Sequence, residues 1–324
     1  MSTASDQAKL IAAFAAVYVI WGSTYLAIRY AIETLPPLLM AGVRFTIAGA
    51  ILYAWVRLRG GERPRPAHWG AAILIGGLML FGGNGAVTWA TQRIPSGMAA
   101  LLVATVPLWI VVLDALRGGA RISLQVLAGV LLGLVGLAIL IGPGQLLGGE
   151  RADLLGAAVL LVGALSWALG SLCARGAKLP SSRLLATAMQ MLGGGALLAL
   201  GGVLSGELGR VDLASVSLRS LLSVLYLIGF GSLIGFSAYI YLLRSTTSAR
   251  ATTYAYVNPV VAVLLGWSIG GEPLSARILV AAAVILTGVV LILSHPGPAP
   301  RSAEVANGAP RRELVSIATA PRRE

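Results

Sequence analysis

Charge is what this chain has least of. Lys, Arg, Asp and Glu make up 11% of 324 residues, where a soluble domain carries about 25%. One cysteine, Cys173, excludes an internal disulfide and a cysteine-held metal cluster. The two histidines, His68 and His295, stand far apart at the edges of apolar runs. They read as ordinary interfacial residues, and no metal site is expected. No phosphate-binding loop or nucleotide domain is present, so the chain itself is not an ATP-driven pump, and no motif calls for a cofactor. The 12 acids are scattered through loops and tail. An enzyme working on lipid-linked substrates would need clustered acids, histidines or metal ligands. Asp114 is the one carboxylate near a span interior, so a buried proton relay is not evident.

What the chain has instead is long apolar runs. Hydrophobic residues make up 57% and the mean hydropathy is +0.86. A helix crosses the hydrocarbon core with about 20 apolar residues. Ten stretches qualify: 10–28, 37–56, 69–90, 97–115, 123–141, 154–174, 184–204, 219–241, 250–269 and 276–294. The first, from Leu10 to about Ile28, is full-length and lacks a small-residue cleavage motif, so it reads as a transmembrane helix, not a signal peptide. Backbone in lipid must satisfy its own hydrogen bonds, which makes these runs helices. The expected fold is an all-α integral membrane protein.

Orientation follows from the cations. With the N-terminus in the cytoplasm, 17 basic residues fall inside and six outside, and Arg44 alone lies within a span. That bias is the positive-inside rule. It accounts for the net charge of +12 without a nucleic-acid partner. The partners expected are the lipid bilayer and a small-molecule solute. Residues 1–9 form a cytoplasmic N-terminus. The Pro- and Arg-containing stretch 295–324 reads as a disordered basic cytoplasmic tail.

The apolar pattern occurs twice. Leu101 to Pro107 is echoed by Thr253 to Pro259. Trp21 and Arg29 are spaced like Trp167 and Arg175, Leu35-Pro36 like Leu179-Pro180, and the segment from Gly118 to Ser123 matches that from Gly270 to Ser275. Five spans per half is an odd number, so the halves, 10–142 and 154–294, enter the membrane in opposite senses. Such inverted repeats place a solute site near the midplane, at interrupted helices. Pro107 would free the carbonyl of Val103 and Pro259 that of Ala255.

On these residues the chain resembles the EamA family of the drug/metabolite transporter superfamily. The resemblance rests on Trp21 to Thr24, Arg44-Phe45, Pro107, Pro259 and Gly271 to Leu274, with Ala120 departing where the second half has Glu272. It implies a secondary carrier, often an exporter of amino acids, metabolites or drugs, with a cavity lined by both halves. A lipid-active enzyme and a channel are the alternatives.

The candidate solute-binding residues are Tyr18, Trp21, Arg44, Asn84, Thr88, Trp167, Ser171, Gln190, Tyr239, Tyr254 and Asn258, with Pro107 and Pro259 as helix kinks. Arg44 sits about 10 Å deep at 1.5 Å per residue. It anchors a solute carboxylate or phosphate, or it serves structure by snorkelling or binding freed carbonyls. Tyr18 and Trp21 lie deep on the first helix, while Tyr25 and Arg29 read as interfacial belt residues. Asn84 and Thr88 share a face, as do Trp167 and Ser171, and Tyr254 and Asn258. Each of these serves as cavity wall or as packing. The row Gly129, Gly133, Gly136 permits close helix contact. Packing within the bundle and a functional monomer are expected, with a dimer as the alternative.

Overall fold

A computed structural model describes residues 4–116, 123–141, 154–246, 251 and 254–294. The expected basic tail and most of the segment from Gly118 to Ser123 lie outside these. The described residues form helices and turns, with no strand among them. The helices are α1 (Ala4–Ala16, Val17–Trp21 and Gly22–Ala31), α2 (Pro37–Leu58) and α3 (Pro66–Gly76, Gly77–Asn84 and Gly85–Ala90). After them come α4 (Ser96–Val103 and Val106–Leu116), α5 (Leu124–Ile141), α6 (Leu154–Gly176) and α7 (Arg183–Leu204). The series ends with α8 (Leu218–Tyr226, Leu227–Phe236 and Ser237–Ser245), α9 (Tyr254–Ser268) and α10 (Ala276–Ser294). Six stretches, in α1, α2, α3, α6, α7 and α8, are long and apolar enough to cross a membrane by length and composition, and shorter apolar helices accompany them.

The burial pattern suits an apolar solvent. Along α2, Val43, Ile47, Ile51 and Trp55 point outward, while Gly42, Arg44, Phe45 and Ala48 are buried. A helix that is apolar on its exposed face as well as its buried one belongs in lipid.

Two helix pairs form tight seams. On α2 and α7, a Cβ at Gly42 would come within 2.6 Å of the Ala199 nitrogen, and one at Gly195 within 2.8 Å of the Thr46 nitrogen. On α5 and α10, a Cβ at Gly288 would meet the Gly129 oxygen at 2.6 Å and the Gly133 nitrogen at 2.8 Å. The small-residue row of α5 therefore packs inside the bundle. In apolar solvent such backbone-close packing supplies much of the force that holds helices together.

The α2–α7 seam is also fixed at both ends by carboxylates. Glu207, just after α7, accepts from the amides of Leu38 (3.2 Å) and Leu39 (2.9 Å) at the start of α2. Glu62, just after α2, accepts from the Ser181 amide (3.1 Å) and hydroxyl beside the start of α7. The Ser181 hydroxyl, with the Ser181 amide and nearby His68 and Arg65, holds the Glu62 carboxyl below the usual carboxylate range, against a smaller opposing effect of desolvation. Glu207 thus satisfies the first amides of α2, and Glu62 ties down the residue that precedes the N-cap of α7.

Sequence reading missed one class of feature. Three π-helical stretches interrupt the α-helices: Val17–Trp21 in α1, Gly77–Asn84 in α3 and Leu227–Phe236 in α8. The second and third are rich in glycine, which periodicity reads simply as apolar helix. The two prolines also sit differently from one another. Helix α4 breaks at Ala104 and Thr105, and Pro107 falls at the second position of the new helix, where its missing N–H costs nothing. Helix α9 runs through Pro259 without a break.

The α2–α7 seam yields a prediction. Gly42→Leu should destabilise the protein by about 1–3 kcal/mol, the usual cost of overpacking, read as a lower melting temperature in detergent. An unchanged melting temperature would mean that the helices do not meet there.

Candidate functional site

The widened turns converge. A narrow cavity of about 60 Å³ lies where α1, α2, α3, α4, α6, α8 and α9 meet. All three π stretches contribute to its wall, through Trp21, through Gly83 and Asn84, and through Gly231 and Phe236. π turns often mark functional sites because they re-aim side chains and loosen the carbonyl ladder. Here each stretch has a carbonyl bonded by a side chain from a neighbouring helix. Trp21 Nε1 donates to the Gly231 oxygen at 3.1 Å. Ser166 Oγ of α6 donates to the Leu78 oxygen at 2.7 Å. The Asn258 amide, turned so that its nitrogen faces the carbonyls, donates to the oxygens of Tyr18 (3.0 Å) and Tyr254 (3.2 Å).

Aromatic rings form one side of the cavity. Trp21 contacts Trp167, Tyr239 and Tyr254 at centroid distances of 5.5, 5.0 and 5.2 Å. The Trp21–Trp167 and Trp21–Tyr254 pairs are edge-to-face, a geometry aromatic pairs favour. Tyr239 is fully buried behind them. Its hydroxyl pairs with Ser171 Oγ at 2.9 Å and accepts from Trp167 Nε1 at 3.4 Å.

Arg44 is buried in the wall, 2% exposed. Nε donates to Ser232 Oγ at 3.1 Å, and the guanidinium lies 4.2 Å from the centroid of the Phe45 ring. Nη1 has no hydrogen-bond partner among the described residues. A cation at the centre of a membrane helix costs about 2.5–3.5 kcal/mol on insertion scales, and neither the serine nor the ring returns a full counter-charge.

The sequence-derived set therefore divides. Trp21, Arg44, Asn84, Trp167, Tyr254 and Asn258 line the cavity. Ser171 and Tyr239 stand behind it as support for the rings. Tyr18 offers its carbonyl to Asn258. Thr88 is buried and bonds the carbonyl of Asn84 on its own helix at 2.9 Å. Gln190 is fully buried in α7, outside the cavity wall, and both polar atoms of its amide lack a partner among the described residues. Pro107 and Pro259 do not line the cavity, but Val103, whose carbonyl Pro107 was expected to free, does.

Several residues had been read otherwise or overlooked. Tyr25 is buried and lines the cavity, so it is not a belt residue. Phe45 and Phe236 also belong to the wall, and nothing in their apolar surroundings distinguishes them in sequence. Arg29 is not free at the interface either. Its Nη1 meets Glu272 Oε1 at 2.6 Å. The same carboxylate accepts from the Ser96 amide (2.9 Å), the Ser96 hydroxyl (2.7 Å) and the Gly97 amide (3.2 Å) at the start of α4. Glu272 thereby joins α1, α4 and the α9–α10 loop in one buried clamp.

Comparison with known proteins supplies the family. The model of the EamA-like transporter family matches residues 8–142 and again 154–294. The chain belongs to the EamA-like transporter family. It is a membrane transporter, not an enzyme. It is 45% identical to the "Uncharacterized inner membrane transporter YedA" of Escherichia coli (strain K12) over 284 residues, 87% of this chain and 90% of that one. It is 25% identical to a "Probable amino-acid metabolite efflux pump" of the same strain, over 85% of this chain and 91% of that one. A solved structure described as "Crystal structure of protein" superposes with a TM-score of 0.64 at 25% identity, covering 88% of this chain and 97% of the other.

Two outcomes test this description. Gln190→Leu removes an unpaired buried amide and should stabilise the protein by about 1–2 kcal/mol. A fall in melting temperature would show that Gln190 has partners. Glu272→Ala strands Arg29 and the first amides of α4 and should cost about 1–3 kcal/mol. Proteolysis near Ser96 should rise with it, and equal protection in both proteins would refute the clamp.

Proposed function

We propose that the protein is a secondary carrier that exports small metabolites, such as amino acids or drugs, across the bacterial inner membrane. It works by alternating access between two inverted five-helix repeats. In this reading all ten helices span the membrane, both termini are cytoplasmic, and the repeats comprise residues 10–142 and 154–294. One observation carries the reading: a single cavity takes its wall from both halves, from α1, α2, α3 and α4 and from α6, α8 and α9.

Three further observations support it. The family model matches the chain as two stretches of similar length. Several of the main helix contacts are preserved when each helix is exchanged for the one five places away. Helices α2 and α7 pack together, as do α5 and α10, while α3 packs on α6 as α8 packs on α1. The π stretches of α3 and α8 occupy matching places in the two halves. The names of the two Escherichia coli relatives, an inner membrane transporter and an amino-acid metabolite efflux pump, point to the same membrane and to small-solute efflux.

Movement would separate helices at one end of the cavity while the other stays packed. The residues assigned to the solute are those in the wall, with Tyr239 and Ser171 holding the rings in place. The carrier is expected to work as a monomer. Counterflow tests the proposal. Proteoliposomes preloaded with unlabelled members of an amino-acid and metabolite panel should accumulate the matching labelled solute transiently. Trp21→Ala should reduce that uptake tenfold or more while leaving the protein folded. Downhill flux without any counterflow would indicate a channel and overturn alternating access.

A further inference from the structure

The cavity wall carries one charge and nothing in it balances that charge. Arg44 is the sole ionised side chain among the residues lining the cavity; no Asp, Glu, Lys or His joins it. The remaining polar groups there, including Thr24, Asn84 and Asn258, are neutral. Elsewhere Arg29 is paired with Glu272, and the exposed Arg219 with Glu33. Among the described residues, Arg44 has only the Ser232 hydroxyl and the face of Phe45.

We propose that the carried solute is a monocarboxylate with an apolar or aromatic body, its carboxylate held by Nη1 of Arg44. The proposal rests on the carrier reading above and narrows it to a substrate class. Stacking on Phe45 at 4.2 Å and the Nε bond to Ser232 fix the guanidinium plane. A fixed guanidinium presents its N–H groups as a rigid fork, which matches a carboxylate in shape and charge. Nη1 of that fork is buried and has no hydrogen-bond partner among the described residues. The wall then offers Trp21, Trp167, Phe236 and Tyr254 to the rest of the solute.

The same wall discriminates against other classes. A cationic solute would meet an uncompensated positive charge and no anion. A neutral solute would leave Arg44 buried and unbalanced in the loaded state. A zwitterion would gain the carboxylate contact, but its ammonium would find only neutral acceptors. Charge discrimination of this kind acts through the penalty on the wrong partner as much as through attraction to the right one.

The test uses one aromatic scaffold with three end groups: phenylacetate, phenylacetamide and phenethylamine. Binding to the purified full-length protein is followed by tryptophan fluorescence, since Trp21 and Trp167 lie in the wall. Phenylacetate should bind at least tenfold more tightly than the amide or the amine. In Arg44→Gln its Kd should rise tenfold or more, while that of phenylacetamide stays within threefold. The amine or amide binding wild type as well as phenylacetate would overturn the assignment, as would an equal loss of all three in Arg44→Gln. If that variant is not monodisperse, the wild-type order decides alone. The counterflow panel is run in parallel. Counterflow with the binding order reversed sinks the substrate class and leaves the carrier standing. The expected order without counterflow supports the anion site and sinks the carrier.

Discussion

Inside a bilayer a backbone carbonyl cannot turn to water, and the site depends on that constraint. A cavity in the middle of a helix bundle needs helices that depart from regular geometry, and every departure disturbs the carbonyl ladder. Here the departures are π turns, and the donors that accompany them come from the neighbouring helices: Trp21 to Gly231, Ser166 to Leu78 and Asn258 to Tyr18. The bonds serve two ends at once. They keep the widened turns supplied with donors, and they tie α1 to α8, α6 to α3 and α9 to α1. Trp21 and Asn258 are therefore both cavity wall and structural pins. Replacing either one alters the shape of the cavity as well as its surface.

Much of this was legible in the residues, and the reasons differ by feature. Helices, spans and duplication were visible because lipid demands long apolar runs, and because the prolines, the Trp–Arg spacings and the glycine-rich turns recur. Arg44 stood out because a lone cation in an apolar run is costly. Trp167 and Ser171 were paired by helical spacing and both meet Tyr239, and Tyr254 and Asn258, paired likewise, both line the cavity. Tyr25 was misplaced because position along a helix was used where rotation about its axis decides. The π stretches were invisible, since Gly77–Asn84 reads as uninterrupted apolar helix at 3.6 residues per turn. Glu272 was legible only as a loop residue. Its partners Arg29 and Ser96 are 243 and 176 residues away in sequence.

The seams and the cavity wall divide the labour among the helices. Helices α2 and α7, with α5 and α10, meet backbone to backbone through glycine and are closed at their ends by carboxylates or small residues. They have no room to slide. Helices α1, α8 and α9 meet largely through aromatic rings and side-chain hydrogen bonds, which can exchange partners at lower cost. Rigid staves beside adjustable walls are what the proposed carrier would require, with α2 also lending Arg44 and Phe45 to the wall.

The Glu272 clamp has a kinetic meaning. It favours whichever conformation keeps the ends of α1 and α4 together, and the corresponding position in the first half is Ala120. In the carrier proposed above, that inequality would set where the empty protein waits between cycles. Detailed balance then forbids it from setting the direction of net flux, which follows the gradients of solute and any coupled ion. What the clamp can set is a difference in half-saturation between the two sides of the membrane. A single carboxylate is thus enough to make a nearly symmetric machine behave asymmetrically in time.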